Sequence, residues 1–470
     1  MKNIIIQAKN IFIVGIKGNG TSGLALILSD MKKKVTGSDV SQIFPTDNEL
    51  NKRKINIVNF DTKHIVKTID LVIYSAAHSG SHNPQVEKAD KLGIPTLSYG
   101  EALGEISKLK TTIVICGSHG KTTTTAMLAK ILEDAGEKPS WMIGCGTLRD
   151  LEYHGKWQEG KYFIVEADEF PDDVNENIRA KFLLLQPSHM IVTSIDWDHP
   201  DIYPSAKLYY NAFKKFVKLL PANANLVIFG IGQECNRLIK TAKTKKLKVH
   251  KIFPEKPWHN LVLKNTFGEH NYLNATFASR MAHELRISQK IILKSLKNFS
   301  GAQRRLEIRF KNDKFMWIDD YGHHPTEIQC AIEAIKKEFP KSRLITLFQS
   351  HTYTRSKTFA EDFAKSLKLS DVLLIAPIFG SARETETDYT DVNFFENIQK
   401  QKNDSIFVKN VKEARNWLKK NKKPNDIFLT LGAGKMNDWG EIIVETLHTC
   451  HSRESGNPEK NYIDSRLNRE

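Results

Sequence analysis

The chain has few cysteines, no long apolar run and no acidic excess, and each absence removes a class of protein. Its 5 cysteines lie far apart without a Cys-x-x-Cys pair, which argues for reduced thiols and against a structural zinc site. No apolar stretch approaches the roughly 18 residues that span a bilayer. The start of the chain has no small-residue cleavage site of a secretory signal. We therefore expect a cytoplasmic protein without membrane insertion.

The net charge of +15 raises the question of nucleic-acid binding. The lysines are scattered over helix-like segments without interleaved aromatic residues, so we interpret them as solvated faces and predict no nucleic-acid partner. A basic field still attracts small anionic substrates. Hydrophobic residues make up 40% and charged residues 26% of 470 residues, values typical of a globular protein with about three domains.

Residues 113–125, IVICGSHGKTTTT, read as a buried strand, a glycine-flanked turn and the first turn of a helix. In such a turn the backbone N–H groups face an anion, a lysine reaches the β- and γ-phosphates, and the next hydroxyl holds magnesium. The pattern predicts a nucleoside triphosphate site, although Ile115 stands where a glycine is usual. A helix cap with an accidental Gly-Lys-Thr is the alternative. The predicted contacts are Gly117, Ser118, His119, Gly120, Lys121, Thr122 and Thr123.

The first segment, residues 1–108, alternates short apolar strands with helical stretches, which predicts a doubly wound parallel sheet. The glycines of residues 18–23 follow the first strand and open a helix, and Asp39 ends the next strand, as in the dinucleotide fingerprint. This pattern selects a pyrophosphate above a helix N-terminus. Both NAD and a UDP-sugar carry one, and a turn without a ligand is a third possibility.

Two apolar strands of the second segment, residues 109–302, end in acidic residues. Glu166 and Asp168 follow one strand, and Asp198 and His199 follow the other. Strand ends converge beside the phosphate loop of an open parallel sheet, so we expect these side chains to reach one magnesium site. Surface acids that simply end strands are the alternative.

The third segment, residues 303–448, repeats the alternation of strand and helix and predicts another small parallel sheet. Two adjacent histidines, His323 and His324, stand before Pro325 at a strand end. Residues 449–470 are polar and charged, and we expect a disordered tail there. The predicted fold class is α/β with three domains: an N-terminal Rossmann-like doubly wound sheet, a central phosphate-loop ATP-binding domain and a C-terminal Rossmann-like domain.

Taken together and in this order, the motifs resemble those of the Mur ligase family, the ATP-dependent amino-acid ligases of peptidoglycan synthesis. The resemblance spans residues 10–440. It is carried by residues 15–25, 117–125, 166–169, 198–201, 270–274, 301–305, 319–327 and 351–355.

The resemblance implies a ligase that uses ATP and Mg²⁺ to join L-alanine to the lactyl carboxylate of UDP-N-acetylmuramate through an acyl phosphate. It implies a magnesium site of Thr122, Glu166 and His199, and catalytic roles for Lys121, His199, His324 and Arg355. The ATP contacts that it implies are His270, Asn271, Asn274, Arg305 and Asp320. The substrate contacts that it implies are Gly18, Gly20, Ser38 and Asp39 for the UDP group, and His351 and Arg355 for the acyl phosphate or the alanine carboxylate.

Three alternatives stay open at this point. A ligase that attaches a murein tripeptide to the same sugar nucleotide shares these motifs, and a nicotinamide dehydrogenase would use the first glycine loop but leave Lys121 unexplained. The family usually has Asn where Ser194 stands and Arg where Thr352 stands. A homologue that binds nucleotides without turnover is therefore the third alternative. We expect a monomer or a homodimer.

Overall fold

The computed structural model describes residues 3–145, 148–172, 179–380, 384 and 388–452. The chain divides into two compact units, Met1–Arg305 and Leu306–Glu470, called here the N-terminal and the C-terminal unit. The described residues form three sheets, two in the N-terminal unit and one in the C-terminal unit.

The first sheet is parallel, with strand order β3-β2-β1-β4-β5. Its strands are β1 (Asn10–Val14), β2 (Lys34–Ser38), β3 (Asn56–Val58), β4 (Leu71–Tyr74) and β5 (Thr96–Ser98). Its helices are α1 (Ile4–Gln7), α2 (Asn19–Asp30), α3 (Asp47–Lys52), α4 (Pro84–Lys91) and α5 (Tyr99–Ser107). This is the doubly wound sheet that the sequence predicts.

The second sheet has strand order β12-β11-β10-β6-β9-β7-β8, and only the β7–β8 pair is antiparallel among these described strands. Its strands are β6 (Thr111–Cys116), β7 (Ser140–Met142), β8 (Gly155–Lys156), β9 (Tyr162–Glu166), β10 (His189–Val192), β11 (Asn225–Phe229) and β12 (Lys248–Ile252). Its helices are α6 (Lys121–Asp134), α7 (Ala206–Val217), α8 (Gln233–Thr244), α9 (Glu269–Glu284) and α10 (Gln289–Lys297).

The third sheet has strand order β13-β14-β18-β15-β16-β17 and is parallel apart from the β13–β14 pair. Its strands are β13 (Glu307–Lys311), β14 (Phe315–Asp320), β15 (Leu344–Phe348), β16 (Val372–Ile375), β17 (Ile406–Phe407) and β18 (Asp426–Leu431). Its helices are α11 (Pro325–Glu338), α12 (Tyr353–Thr358), α13 (Ala360–Leu367), α14 (Asp391–Gln399), α15 (Val411–Asn421) and α16 (Met436–Ser452).

The central strand β6 shows why its sequence is a continuous apolar run. Alternate side chains of a strand point to opposite faces, and helices cover both faces of this sheet. Ile113 and Ile115 pack in a core with residues of α6 and α9, whereas Val114 and Cys116 pack in a second core with residues of α7. That second core also contains Leu24 of α2, so the first two sheets share one hydrophobic interior within the N-terminal unit.

The last helix extends further than the sequence indicates. α16 continues to Ser452, past residue 449, where we predicted a disordered tail to begin. The rest of that tail, residues 453–470, lies outside the described residues. None of the helices in the described part of the chain is long and apolar enough to cross a membrane.

Candidate functional site

The turn between β6 and α6 has the backbone of a phosphate loop. Gly117 has φ +134° and Gly120 has φ +78°, conformations that favour glycine. α6 begins at Lys121, and within the described residues no side chain caps it. Its first N–H groups are therefore available to an anion, and the dipole of this helix favours one. The strand, turn and helix predicted for residues 113–125 are present.

Two residues that follow β10 brace this loop. Ser194 Oγ accepts a hydrogen bond from His119 N at 3.0 Å, and Ser194 O accepts one from Ser118 N at 3.2 Å. Thr193 Oγ1 donates to His119 O at 2.5 Å. A Cβ atom on Gly117 would lie 2.2 Å from Thr193 Oγ1, so only glycine fits there. Serine thus supports the loop at the position where the resemblance predicts asparagine.

Lys121 is held by the loop and by a buried glutamate. Its Nζ lies 2.5 Å from Gly117 O and 3.0 Å from Glu169 Oε2. Burial lowers the pKa of Lys121, but Glu169 and the nearby acids raise it more, so the net pKa is above its ordinary 10.5. Tyr209 OH donates to Glu169 Oε1 at 3.2 Å and fixes this carboxylate. Lys121 is therefore protonated and paired, and a phosphate that enters the loop competes with Glu169 for it.

Glu169 is the residue paired with Lys121 that the sequence analysis did not single out. It is buried, and it ends the acidic motif of residues 166–169. The alternation of a strand pairs Glu166 with Asp168 on one face. β9 ends at Glu166, however, so that alternation does not continue to the next residues. The motif contains three acids, and the third of them was the feature of the sequence that could have identified this residue.

Glu166 and Thr122 form an oxygen-rich pair beside the loop. Thr122 Oγ1 donates to Glu166 Oε1 at 2.8 Å, and Gly144 N donates to Oε2 at 2.7 Å. Burial raises the pKa of Glu166, against these hydrogen bonds and the charge of Lys121, which lower it. Mg²⁺ in nucleotide sites binds one or two protein oxygens of this kind together with phosphate oxygens. The pair therefore fits a magnesium ion.

The other three residues of the predicted magnesium site have different partners. Asp168 Oδ2 accepts from Lys181 Nζ at 2.8 Å. Burial raises the pKa of Asp168, but Lys181 above all lowers it, so the net pKa lies below its ordinary 3.8. Asp198 Oδ1 accepts from His199 N at 2.6 Å, and the His199 ring lies 3.9 Å from Glu169 Oε1.

Among the described residues, no group of three or more His, Cys, Asp or Glu side chains is arranged to hold one ion. The structure therefore does not show the four-residue magnesium site that we predicted, because Asp168 and Asp198 are satisfied by a lysine and a backbone N–H. The smaller set of Thr122, Glu166 and His199 stays a prediction.

The first turns of α9 lie against the phosphate loop. Asn274 is buried, and a Cβ atom on Gly120 would lie 2.3 Å from its Oδ1. Asn271 is also buried and donates to the backbone carbonyl four residues earlier at 2.7 Å. Gly268, with φ +91°, precedes the helix, so Asn271 is not its cap. His270 is partly exposed in the first turn. The adenine contacts of these three residues stay a prediction.

Arg305 and Asp320 belong to different units. Arg305 ends the N-terminal unit, and its charge helps to lower the pKa of Glu166. Asp320 ends β14 of the C-terminal unit, where its carboxylate accepts from Leu306 N and Gly322 N, each at 2.7 Å. Their predicted contacts with ATP stay predictions.

The first sheet carries a second strand, glycine turn and helix. Gly18 precedes α2, and no side chain of the described residues caps this helix. A Cβ atom on Gly20 would lie 2.9 Å from Tyr99 Cζ, so the glycine lets the ring approach the first turn. The backbone that we predicted to face a diphosphate is therefore formed.

Ser38 ends β2 beside this turn and Asp39 follows it, and both are buried. Ser38 Oγ donates to Gln85 Oε1 at 2.5 Å. Asp39 Oδ2 accepts from Lys17 N at 2.7 Å, and Asp39 Oδ1 lies 3.7 Å from His78 Nε2. Asp39 thus holds the turn itself, and contact of either residue with a UDP group stays a prediction.

The C-terminal unit brings two of the predicted residues, His351 and Arg355, together. Arg355 is buried in α12, with Nη1 3.3 Å from His351 Nδ1. The His351 ring lies 6.1 Å from that of His323. His324 precedes α11, where its Nδ1 accepts from Thr326 N at 3.3 Å.

Thr352, the other departure from the family pattern, has a structural task. It has φ +68°, and its hydroxyl accepts from Arg355 N at 3.3 Å, so it starts α12. A left-handed conformation is costly for a β-branched residue. The hydrogen bond to the Arg355 backbone helps to maintain it.

Comparison with protein families gives three matches along the chain. Residues 10–111 match the model described as "Mur ligase family, catalytic domain". Residues 115–289 match "Mur ligase middle domain", and residues 304–434 match "Mur ligase, glutamate ligase domain". The three matches follow the order of the three sheets.

Curated relatives cover nearly the whole chain. The UDP-N-acetylmuramate–L-alanine ligase of Desulfitobacterium hafniense (strain Y51) is 30% identical over 93% of this chain and 99% of its own. The enzyme of the same name from Borreliella afzelii (strain PKo) is 32% identical over 92% of this chain and 98% of its own.

Solved structures share the fold. The UDP-N-acetylmuramate-alanine ligase MurC of Thermotoga maritima has a TM-score of 0.74 and 25% identity, and the match covers 94% of this chain and 99% of that one. A murein peptide ligase of Psychrobacter arcticus has a TM-score of 0.67 at 20% identity over 93% of this chain and 98% of that one, a likeness that concerns the fold alone.

Proposed function

We propose that this chain, which belongs to the Mur ligase family, joins L-alanine to the lactyl carboxylate of UDP-N-acetylmuramate with conversion of ATP to ADP and phosphate. The observation that carries the proposal is 30% and 32% identity, over almost the whole chain, to two enzymes named for this reaction. The murein peptide ligase shares the fold at 20% identity, so the tripeptide reaction is the weaker candidate.

The first step is a phosphoryl transfer. A carboxylate oxygen of the sugar nucleotide attacks the γ-phosphorus of ATP, the bond to the leaving oxygen of ADP breaks, and an acyl phosphate forms. Both reactants are anions, so catalysis rests on positioning and on neutralisation of charge. The N-terminus of α6 and Lys121 supply this for the β- and γ-phosphates. When ATP enters the loop, Lys121 leaves Glu169 and pairs with the γ-phosphate instead.

Thr122 and Glu166 would hold the magnesium ion in this proposal. Magnesium, when bound there, neutralises charge on the β- and γ-phosphates. Burial raises the pKa of Glu166, and a cation bound beside its carboxylate would lower that pKa and favour the charged form. His199 comes after β10, on the other side of β6 from Glu166, and would contact the acyl phosphate in this proposal.

The second step is an acyl transfer. The amine nitrogen of L-alanine attacks the acyl carbon, the bond from that carbon to the phosphate oxygen breaks, and the amine loses a proton. Arg355 binds the alanine carboxylate, a task suited to the two parallel N–H groups of a guanidinium. His351 orients Arg355 in this proposal, and His324 is assigned to the acyl phosphate by the family pattern.

The sugar nucleotide binds at the first sheet. The N–H groups at the start of α2 receive its diphosphate, and Gly18 and Gly20 allow the close approach. Ser38 and Asp39 fix the turn from the end of β2. The first glycine loop therefore serves a UDP-sugar in this proposal and not a nicotinamide.

A substrate panel tests the function. The purified protein is incubated with ATP, Mg²⁺, UDP-N-acetylmuramate and L-alanine, glycine, L-serine or a murein tripeptide, and the product mass and released phosphate are measured. We expect phosphate release only when the sugar nucleotide and an amino acid are both present, with L-alanine preferred. Product from the tripeptide but not from L-alanine would assign the recycling reaction instead. Nucleotide binding without any product would indicate a homologue that has lost turnover.

A further inference from the structure

A fully buried histidine joins the two sheets of the N-terminal unit, and none of the roles above uses it. His154 precedes β8 at the edge of the second sheet, with a relative exposure of 0%. Its backbone oxygen accepts from Ile143 N at 2.9 Å, which fixes it to the β7–β8 edge. Its ring, however, reaches α2 and α3, which belong to the first sheet.

Two glycines bring the backbones of α2 and β8 into direct contact at this point. A Cβ atom on Gly155 would lie 2.1 Å from Gly23 O, and one on Gly23 would lie 2.6 Å from Met142 Cε and 3.0 Å from His154 Cδ2. Another residue at Gly155 would need a shift of backbone, and one at Gly23 would need the Met142 and His154 side chains to move. The first turns of α2 are therefore in close contact with β8, directly after His154.

The His154 ring is the centre of a buried chain of hydrogen bonds. Glu49 Oε2 lies 2.5 Å from Nδ1, and Ser22 Oγ lies 3.0 Å from Nε2. Asn19 O lies 3.2 Å from Nε2 and 3.2 Å from Ser22 Oγ. A carboxylate only accepts hydrogen bonds, so Nδ1 carries a proton. Nε2 then faces Ser22 and Asn19. With a proton it donates to Asn19 O or Ser22 Oγ, and without one it accepts from Ser22 Oγ, so it is hydrogen-bonded to the first turn of α2 in both cases.

That first turn is the one that we propose for the diphosphate of the sugar nucleotide. Asn19 is its first residue, directly after Gly18, and Ser22 is buried one turn further. We infer that His154, oriented by Glu49, is a positioning residue that fixes the first turn of α2 for the sugar nucleotide. The inference rests on the proposed function, because it assigns the diphosphate to this turn. His154 is buried and touches no substrate, so it acts through Ser22 and Asn19.

The test compares affinities for two uridine nucleotides and for ATP, which the proposed function assigns to the same unit. His154→Gln and Ser22→Ala are made in the full chain, and dissociation constants for UDP-N-acetylmuramate, UDP and ATP are measured by calorimetry. Loss of one buried hydrogen bond at the turn should raise the dissociation constants for both uridine nucleotides by about 5- to 30-fold. The constant for ATP should stay within about twofold, because the phosphate loop is built from other residues. KM for the sugar nucleotide should rise while kcat at saturation changes little.

A second histidine of the same unit provides the matched control. His189 begins β10, and its Nδ1 accepts from Asn225 N at 3.1 Å, away from α2. His189→Gln makes the same chemical change and should leave the affinity for UDP-N-acetylmuramate within about twofold.

The inference is overturned if both folded variants bind the sugar nucleotide as the unaltered chain does, or if affinities for ATP and the sugar nucleotide fall by the same factor. Should His154→Gln fail to fold, Ser22→Ala decides alone, since it removes one oxygen atom. An unaltered chain with no affinity for UDP-N-acetylmuramate would instead overturn the proposed function, before any variant is compared.

Discussion

The glycine turns after β1 and after β6 share a backbone plan and differ in their charges. Each follows a buried parallel strand and leads directly into a helix without a side-chain cap among the described residues. At the first turn, Lys17 Nζ is occupied by two backbone carbonyls at 2.8 and 3.0 Å and by Asp47 at 3.3 Å. At the second, Lys121 Nζ lies over the loop and pairs with Glu169 at 3.0 Å.

In the proposed function, this difference separates a turn that only binds a diphosphate from a turn at which a phosphoryl group is transferred. A turn that only holds a diphosphate needs N–H groups and a helix N-terminus. A turn that transfers a phosphoryl group also needs a cation that can follow the moving charge and oxygens for a metal ion. In the proposed function, Lys121, paired with Glu169 before ATP binds, and Thr122 beside Glu166 provide these at the second turn. The lysine of the first turn is a structural residue.

The largest expected effect comes from removing the second lysine. Lys121→Ala should lower the ligation rate by about 10³-fold or more, because it removes the side-chain charge that the proposed function places at the γ-phosphate. Affinity for UDP-N-acetylmuramate should stay within about twofold. Steady-state phosphate release and calorimetry measure the two quantities.

The matched variant is Lys17→Ala at the first turn. It leaves Asp47 buried without its cation, so the midpoint of thermal unfolding should fall. The rate constant at saturating substrates should change by less than about tenfold. If Lys121→Ala lost affinity for the sugar nucleotide as strongly as it lost turnover, the two turns would not be separate sites.

The contributions of Glu166 and Asp168, two acids near the second turn, to the stability of the fold should change with pH in opposite directions. The pKa of Glu166 is raised above 4.5, so its contribution to stability is present below that value and is lost as the pH rises through the folded pKa. Glu166→Gln should therefore raise the thermal midpoint at about pH 7 but not at about pH 4. The Thr122 hydroxyl can accept from the new amide. Turnover should fall by about 100-fold, because the metal ligand is lost.

Asp168→Asn is the counterpart of that variant. The pKa of Asp168 is lowered below 3.8, so its contribution is present above that value and is lost as the pH falls through the folded pKa. The variant should lower the thermal midpoint at about pH 7, and the difference should shrink below pH 3.8. Thermal unfolding across pH measures both variants, and midpoint shifts of the same sign at neutral pH would contradict the assignment.

A smaller effect is expected from methyl groups added to the two turns. Gly117→Ala places a Cβ atom 2.2 Å from Thr193 Oγ1 at φ +134°, so affinity for ATP should fall by about 10- to 100-fold. Gly20→Ala places a Cβ atom 2.9 Å from the Tyr99 ring and should instead lower the affinity for UDP-N-acetylmuramate by about tenfold. A crossed result, with each variant affecting the other nucleotide, would rule out the separation of the sites.

The smallest effect concerns the brace of the phosphate loop. Ser194→Ala removes the acceptor of His119 N and should raise KM for ATP by about 3- to 10-fold. Ser194→Asn supplies an amide oxygen and restores the side chain usual in the family, so its KM should stay within about threefold of the unaltered value. A loss of turnover in Ser194→Asn as large as that of Lys121→Ala would show that this chain has adapted to serine.

The fold class and the family were both predictable, and both predictions are confirmed. Apolar runs such as residues 113–116 identify strands buried on both faces, and glycines before Lys121 and after β1 identify helix starts with free N–H groups. The predicted joint magnesium site of Asp168, Asp198 and their neighbours is not seen, because acids at strand ends can find lysines or backbone donors instead.

The sequence by itself determined where the two glycine turns and the helix starts that follow them lie, since glycine φ values and helix N-termini are local properties. Only the tertiary structure decided which side chains meet there. Glu169 reaches Lys121 across 48 residues of chain, and His154 reaches Ser22 across 132. Such pairings are set by how strands and helices pack, which depends on the whole interior and on no local pattern.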